Sequence, residues 1–257
     1  MSLVLYDRHE RIAYLTLNRP DKRNALNAEL VAALKESLQK ASADPQVKVI
    51  VLKANGKAFC AGADLEYLQQ LQKNTYEENL TDSGNLAELF HLIYTLPKVV
   101  IAQVQGHAIA GGCGLASICD FVFSVPEAKF GYTEVKIGFI PAIVSLFLIR
   151  KIGEGKAREL LLAGDLISAE KAQAYGLINF LAEEYELENR VRTFTEQLCV
   201  TNSGQSMTLT KDLLARIGEM NLSDGVAFAA QMNAKARATD DCKQGIQAFL
   251  DKKDLNW

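Results

Sequence analysis

The chain is poor in the residues on which metal, redox and covalent chemistry depend. Three histidines, His9, His91 and His107, are spread over 257 residues, and no HxxxH or Cys/His grouping has metal-ligand spacing. No metal is expected. The five cysteines, Cys60, Cys113, Cys119, Cys199 and Cys242, form no CxxC pair, and their odd number leaves one over in any set of bridges, which points to reduced thiols. Gly-x-Ser-x-Gly and the P-loop are both missing, and residues 106–111 do not follow the Gly-x-Gly-x-x-Gly spacing. Serine-hydrolase, nucleoside-triphosphatase and dinucleotide chemistry therefore lack their usual signatures. An excess of one charge is lacking too: 28 Lys and Arg stand against 31 Asp and Glu, a net charge of −3 with no basic stripe, so nucleic acid is not the expected partner. The longest apolar run, residues 137–149, is broken by Pro141 and is shorter than the ~20 residues of a membrane helix. Residues 1–8 hold neither a basic leader nor an apolar signal region, so a cytoplasmic protein with no membrane partner is the expectation.

What remains is an ordinary globular composition, 49% apolar and 23% charged, with enough apolar residues for a sizeable core. Residues 3–7 and 13–17 read as two strands of a hairpin. Residues 27–41 turn helical, with Leu30, Ala33, Leu34 and Leu38 on one face and Asn27 as cap. Residues 47–54 and 99–104 are β-branched and almost continuously apolar, the pattern of strands buried on both faces, and 120–125 reads as a further strand. Between them lies a polar, helix-prone insertion, 66–94. Beyond Pro141 the helical segments are 154–163, 169–175, 184–200, 206–217, 223–238 and 240–253. Alternating strands and helices followed by a helical tail predict an α/β core over 1–166 and a helical region over 167–257.

Two glycine-containing stretches carry the first chemical signal. Residues 59–65 read Phe-Cys-Ala-Gly-Ala-Asp-Leu and residues 110–114 read Ala-Gly-Gly-Cys-Gly. Small residues leave backbone N–H groups open to a carbonyl oxygen, and two such donors aimed at one point make an oxyanion hole. The plainer alternative is a pair of tight turns. Downstream, Glu134 stands among Val135, Ile137, Phe139 and Ile140, where desolvation would raise its pKa and make it a better base at neutral pH. Its plainer alternative is a solvated glutamate paired with Lys136. For Cys60 and Cys113 the expectation is a buried small hydrophobe, because neither has a His or a basic neighbour to generate a thiolate.

These three blocks, in this order, resemble the crotonase superfamily, the enoyl-CoA hydratase/isomerase family of acyl-CoA enzymes. The likeness extends to Asn18-Arg19-Pro20-Asp21-Lys22-Arg23-Asn24-Ala25-Leu26-Asn27, to Ala-Gln-Ala-Tyr-Gly-Leu-Ile-Asn at 172–179, and to Ala-Phe-Leu-Asp-Lys-Lys at 248–253. The resemblance implies a spiral of short ββα units forming two roughly perpendicular sheets, followed by helices that assemble a homotrimer or a dimer of trimers. It also implies that the N–H groups of Ala63 and Gly111 hold the thioester oxygen of an acyl-CoA and that Glu134 moves the proton. Coenzyme A then belongs to the substrate and no cofactor is required. Substrate contacts would come from Lys22, Arg23, Ala25 and Leu26, from Asp64, Leu65 and Glu66, from Gly114 and Ala142, and from Phe249 and Lys252, the last two reaching a neighbouring subunit's site.

The chain departs from the family's two-glutamate hydratases at Gly114, the position after Gly-Gly-Cys where they carry one of the two acids. A single carboxylate can take a proton from C2 and return it at C4, so double-bond isomerisation of an enoyl-CoA is the expected reaction. Hydration or dehydration of a short or branched acyl-CoA stays open, as does non-catalytic acyl-CoA binding. With Ala-Ile-Val-Ser at 142–145 in place of the family's Gly-rich segment, the pocket is expected to be drier and emptier than a hydratase's. The room at Gly114 would then hold a water or a polar side chain from 66–94.

Overall fold

The computed structural model describes residues 2–257; Met1 lies outside the described residues. β1 (Val4–His9) and β2 (Ile12–Leu17) form the expected antiparallel hairpin, with Val4 opposite Leu17 and His9 opposite Ile12. α1 (Ala28–Ala43) follows, capped by Asn27, whose side chain accepts from the Leu30 N–H. Its buried residues Leu30, Val31, Leu34, Leu38 and Ala41 recur at the three-to-four spacing of one helix face.

β3 (Val49–Ala54), β5 (Val99–Val104) and β7 (Phe121–Ser124) extend the sheet beyond β2 in parallel, and β10 (Phe180–Leu181) completes the order β1-β2-β3-β5-β7-β10. Val49, Ile50, Val51 and Leu52 are all fully buried, which accounts for the unbroken apolar run of β3. After each of these three strands the chain adds a short strand to a second sheet. These are β4 (Ala58–Cys60), β6 (His107–Ile109) and β8 (Lys129–Gly131), mutually parallel, with β9 (Ile167–Ser168) antiparallel at the edge.

A helical segment closes each step. α2 (Leu65–Leu71) and α3 (Tyr76–Thr95) follow β4, and α4 (Gly111–Ser117) follows β6. After β8 come a 3-10 turn over Glu134–Ile137 and α5 (Ala142–Ile152). The chain thus climbs two sheets at once, one strand in each per turn, which is the ββα repeat the resemblance implies.

The remainder is helical: α6 (Glu154–Ala163), α7 (Ala169–Ala174), α8 (Glu184–Thr201), α9 (Gly204–Ile217), α10 (Leu222–Ala238) and α11 (Asp240–Leu250). Two departures from the sequence reading matter. The region from 167 onward returns β9 and β10 to the sheets, and α11 stops at Leu250, with Lys252 in a left-handed conformation (φ +53°). One apolar core unites the sheets with α1, α3, α4, α5 and α8. Among the described residues no helix is long and apolar enough to cross a membrane.

Candidate active site

The three parallel strands of the small sheet each release one candidate group just past their carboxyl ends. β4 ends at Cys60 and leads to Ala63, β6 ends at Ile109 and leads to Gly111, and β8 ends at Gly131 and leads to Glu134. Neighbouring strands lie about 4.8 Å apart, so groups remote in sequence become neighbours. The carboxyl ends of parallel strands are also where open α/β sheets hold ligands.

The direction of the two N–H groups follows from their peptide planes. Leu26 donates to Gly62 O (2.7 Å) and Asp64 donates to Leu26 O (2.9 Å), forming a parallel bridge between Leu26 and Ala63. A trans peptide turns its N–H opposite to its C=O, so the Ala63 N–H faces away from Leu26. Ala110 O accepts from the Gly114 N–H (3.1 Å) along α4, which turns the Gly111 N–H out of the helix start. Neither N–H meets a protein acceptor among the described residues.

Each donor also follows a residue of positive φ, Gly62 at +91° and Ala110 at +51°. For Ala110 this conformation (ψ −127°) costs of the order of 1–3 kcal/mol and is held by its surroundings. Gly62 must be glycine twice over: a Cβ there would meet Ala110 Cβ at 2.9 Å and Ile109 O at 3.1 Å. That Cβ position is 3.8 Å from the Gly111 nitrogen, so the two loops touch.

Arg19 and Asn24 hold the first loop, and neither stood out as a site residue from sequence. Arg19 donates to Asp64 Oδ2 (2.8 Å) and to Ala25 O (2.5 Å). Asn24 donates to Asn55 O (2.8 Å) and Ala58 O (2.9 Å) and accepts from the Arg19 N–H. Asp64 caps α2 by accepting from the Glu66 N–H (3.0 Å). Burial by itself would raise the Asp64 carboxyl, but the Arg19 guanidinium and the N–H groups of Glu66 and Tyr67 outweigh it and hold the carboxyl below its usual range. Ala25 and Leu26 are buried in this support, and Leu65 is exposed on α2. Lys22 is spent on Glu66, 2.6 Å away, whereas Arg23 is exposed and has no ion-pair partner among the described residues. The signal for Arg19 lay in its place within the 18–27 block.

Glu134 opens the 3-10 turn with Oε2 buried and without a hydrogen-bond partner. Burial raises its carboxyl pKa. Lys136, the partner a surface glutamate would use, instead lies 2.7 Å from Asp165. Two residues upstream, Tyr132 is fully buried, and its hydroxyl is 3.2 Å from Ser117 Oγ of α4, tying the segment that bears Glu134 to the helix that begins at Gly111. Burial pushes the thiols of Cys60 and Cys113 up to about 12, so neither supplies a thiolate at neutral pH.

The room expected at Gly114 does not exist. A Cβ there would lie 2.3 Å from Val144 Cγ1 and 2.9 Å from Phe90 Cε1, two buried side chains brought in by α5 and α3. The insertion that might have offered a polar group offers Phe90 instead. The pocket is apolar at this point but filled rather than emptier, and Ala142 stands exposed at the start of the helix that carries Val144. Phe249, 83% exposed on the last turn of α11, and Lys252 just beyond it are carried by a helix that packs on α9 and α10. In the single chain they are not brought to the strand ends. Among the described residues no group of three or more His, Cys, Asp or Glu is placed to hold a metal.

Two backbone N–H groups without a protein acceptor and a buried, unpaired carboxylate thus stand at the ends of one sheet. Residues 7–257 match the family model described as enoyl-CoA hydratase/isomerase. A Thermus thermophilus protein, provisionally named an enoyl-CoA hydratase, is 44% identical over 242 residues, covering 94% of this chain and 95% of its own. A crotonyl-CoA hydratase of Syntrophomonas wolfei is 33% identical, with 99% and 97% covered. The crystal structure of an enoyl-CoA hydratase of Mycobacterium smegmatis superposes with a TM-score of 0.93 at 31% identity, over 99% of this chain and 98% of that one. The chain belongs to the enoyl-CoA hydratase/isomerase family, with the crotonase fold.

Proposed function

We propose that the protein adds water to a 2-enoyl-CoA thioester, or removes it in reverse, with Glu134 as the one group that moves protons. The observation that carries this reading is the buried, unpartnered Oε2 of Glu134 on the same sheet edge as two unpartnered N–H groups. The Ala63 and Gly111 N–H groups hold the thioester oxygen and stabilise the enolate. Glu134 takes a proton from water as the water oxygen bonds to C3, and the resulting acid protonates C2. One O–H bond and the C2=C3 π bond break, C3–O and C2–H bonds form, and the carboxylate is regenerated. The hydratase names of the relatives at 44% and 33% identity favour water addition.

A second reading rests on the apolar filling at Gly114. With no second carboxylate to share a water, Glu134 would remove a proton from C2 of a 3-enoyl-CoA and return it at C4, as the sequence suggested. The CoA contacts of Arg23, Phe249 and Lys252 and the assembly into trimers belong to the same proposal. Incubating the protein with short 2-enoyl and 3-enoyl thioesters decides between the reactions. Hydration of the first at about 10 s⁻¹ or faster supports the reading; double-bond migration without hydration replaces it, and inertness toward both leaves acyl-CoA binding alone.

A further inference from the structure

The oxyanion helix α4 has seven residues, and all of them after Gly111 are buried. Its carboxyl end is therefore closed to water, and the carbonyls there need protein donors. Ser117 O and Cys119 O find the same one: Lys151 Nζ, from the last turn of α5, at 2.6 and 2.9 Å. No carboxylate forms an ion pair with this ammonium among the described residues. The adjacent Asp120 is committed to Lys211 Nζ (2.7 Å) and the Val100 N–H (2.7 Å). The Lys151 ammonium thus sits against the negative pole of α4, with the Asp120 carboxylate near enough to favour its charge but bonded elsewhere.

We propose that Lys151 is a positioning residue of the oxyanion hole, anchoring the carboxyl end of α4 and placing a positive charge behind the Gly111 N–H at its other end. The inference rests on the proposed role of Gly111. At 1.5 Å per residue α4 is about 10 Å long, and a unit charge across that distance of protein interior alters the stability of an anion about tenfold. Burial lowers the Lys151 pKa, and the nearby Asp120 carboxylate acts against that to favour the charged form. The enolate oxygen proposed at the far pole is the group on which this positive charge would act. Lateral contacts agree: α5 packs along α4, and the Tyr132–Ser117 contact ties α4 to the segment that bears Glu134.

The test uses butyryl-CoA labelled with ¹³C at the carbonyl, a saturated thioester that binds without turnover, read by isotope-edited infrared difference spectra. Wild-type protein should lower the carbonyl stretch below its value in water. Lys151→Gln, which keeps a donor and loses the charge, should return the stretch toward the solution value and lower kcat on a 2-enoyl-CoA about tenfold, with the butyryl-CoA Kd within twofold. Lys151→Arg should keep most of the wild-type shift. A Gln variant with the wild-type stretch and rate overturns the proposal, as does an Arg variant that loses the shift as fully as Gln. If Lys151→Gln does not fold, the Arg spectrum decides alone, the wild-type frequency supporting the proposal and the solution frequency refuting it. A wild-type spectrum without any downshift overturns the Ala63 and Gly111 assignment first, and Lys151 with it.

Discussion

Replacing Glu134 by glutamine keeps the shape of the side chain and removes its ability to take a proton. No second carboxylate stands at position 114, where Phe90 and Val144 occupy the space, so none from that position could take over the proposed step. General acid–base groups are worth about 10²- to 10⁴-fold, and for a sole carboxylate the loss in kcat should approach ~10⁴-fold. Acyl-CoA affinity should stay within a few-fold, since the backbone donors and the CoA contacts are untouched.

Stability should move the other way. Burial holds the Glu134 carboxyl pKa above its unfolded value, so between the two values the folded chain binds more protons than the unfolded one. The contribution of this group to stability therefore falls as pH rises through that window, and above it the ionised, unpartnered carboxylate is a liability. Removing it should raise stability by about 1 kcal/mol at most, or Tm by about 2 °C in a chain of this size. Steady-state kinetics on both enoyl substrates, calorimetric binding and thermal melts test the three parts. A Gln variant within tenfold of the wild-type rate on either substrate would refute the role of Glu134, and a clearly lowered Tm would refute the reasoning about its burial. For the wild type, the acid limb of kcat/KM should lie above the ordinary glutamate range.

Gly114→Ala should cost about 1–3 kcal/mol through overpacking against Val144 and Phe90. Adding Val144→Ala should recover part of it, which a denaturant double-mutant cycle would show as non-additivity; additive losses would mean that the contact is not the cause. Arg19→Ala leaves the Asp64 carboxylate buried without its ion partner and should cost about 3–5 kcal/mol. Because the Asp64 carboxyl is held below its unfolded pKa, the contribution of the pair is present above that unfolded value and lost as pH falls through the folded one. The gap between wild type and variant should therefore shrink in acid, and a gap independent of pH would assign the cost to packing. Lys252→Ala should raise KM for acyl-CoA with little change in kcat, and an unchanged KM would remove Lys252 from the CoA site.

The longer elements were legible because a periodic pattern needs several residues to show itself. The apolar runs of β3 and β5, the one-sided face of α1 behind its Asn27 cap and the helices from α6 to α11 were all readable in this way. The candidate site was marked only in part by local chemistry: small residues and a carboxylate flagged the three blocks, but Ala63, Gly111 and Glu134 were singled out by the resemblance of those blocks to the crotonase superfamily. Their supporting structure was not legible. β4, β6 and β8 have three residues each, too few for any period, yet their ends are what bring the three groups together.

Composition and local pattern alone determined an α/β chain without paired cysteine motifs, two small-residue loops and a lone carboxylate in an apolar stretch. Tertiary structure decided what surrounds each of them. Lys136 pairs with Asp165 rather than Glu134, Arg19 reaches Asp64 across 45 residues, Lys151 closes the far end of α4, and Phe90 and Val144 fill the room that glycine at 114 was expected to leave. The physical reason is the range of the forces involved. A residue's size, charge and backbone freedom act where it stands in the sequence, whereas desolvation, ion pairing and close packing depend on neighbours that only the folded chain supplies.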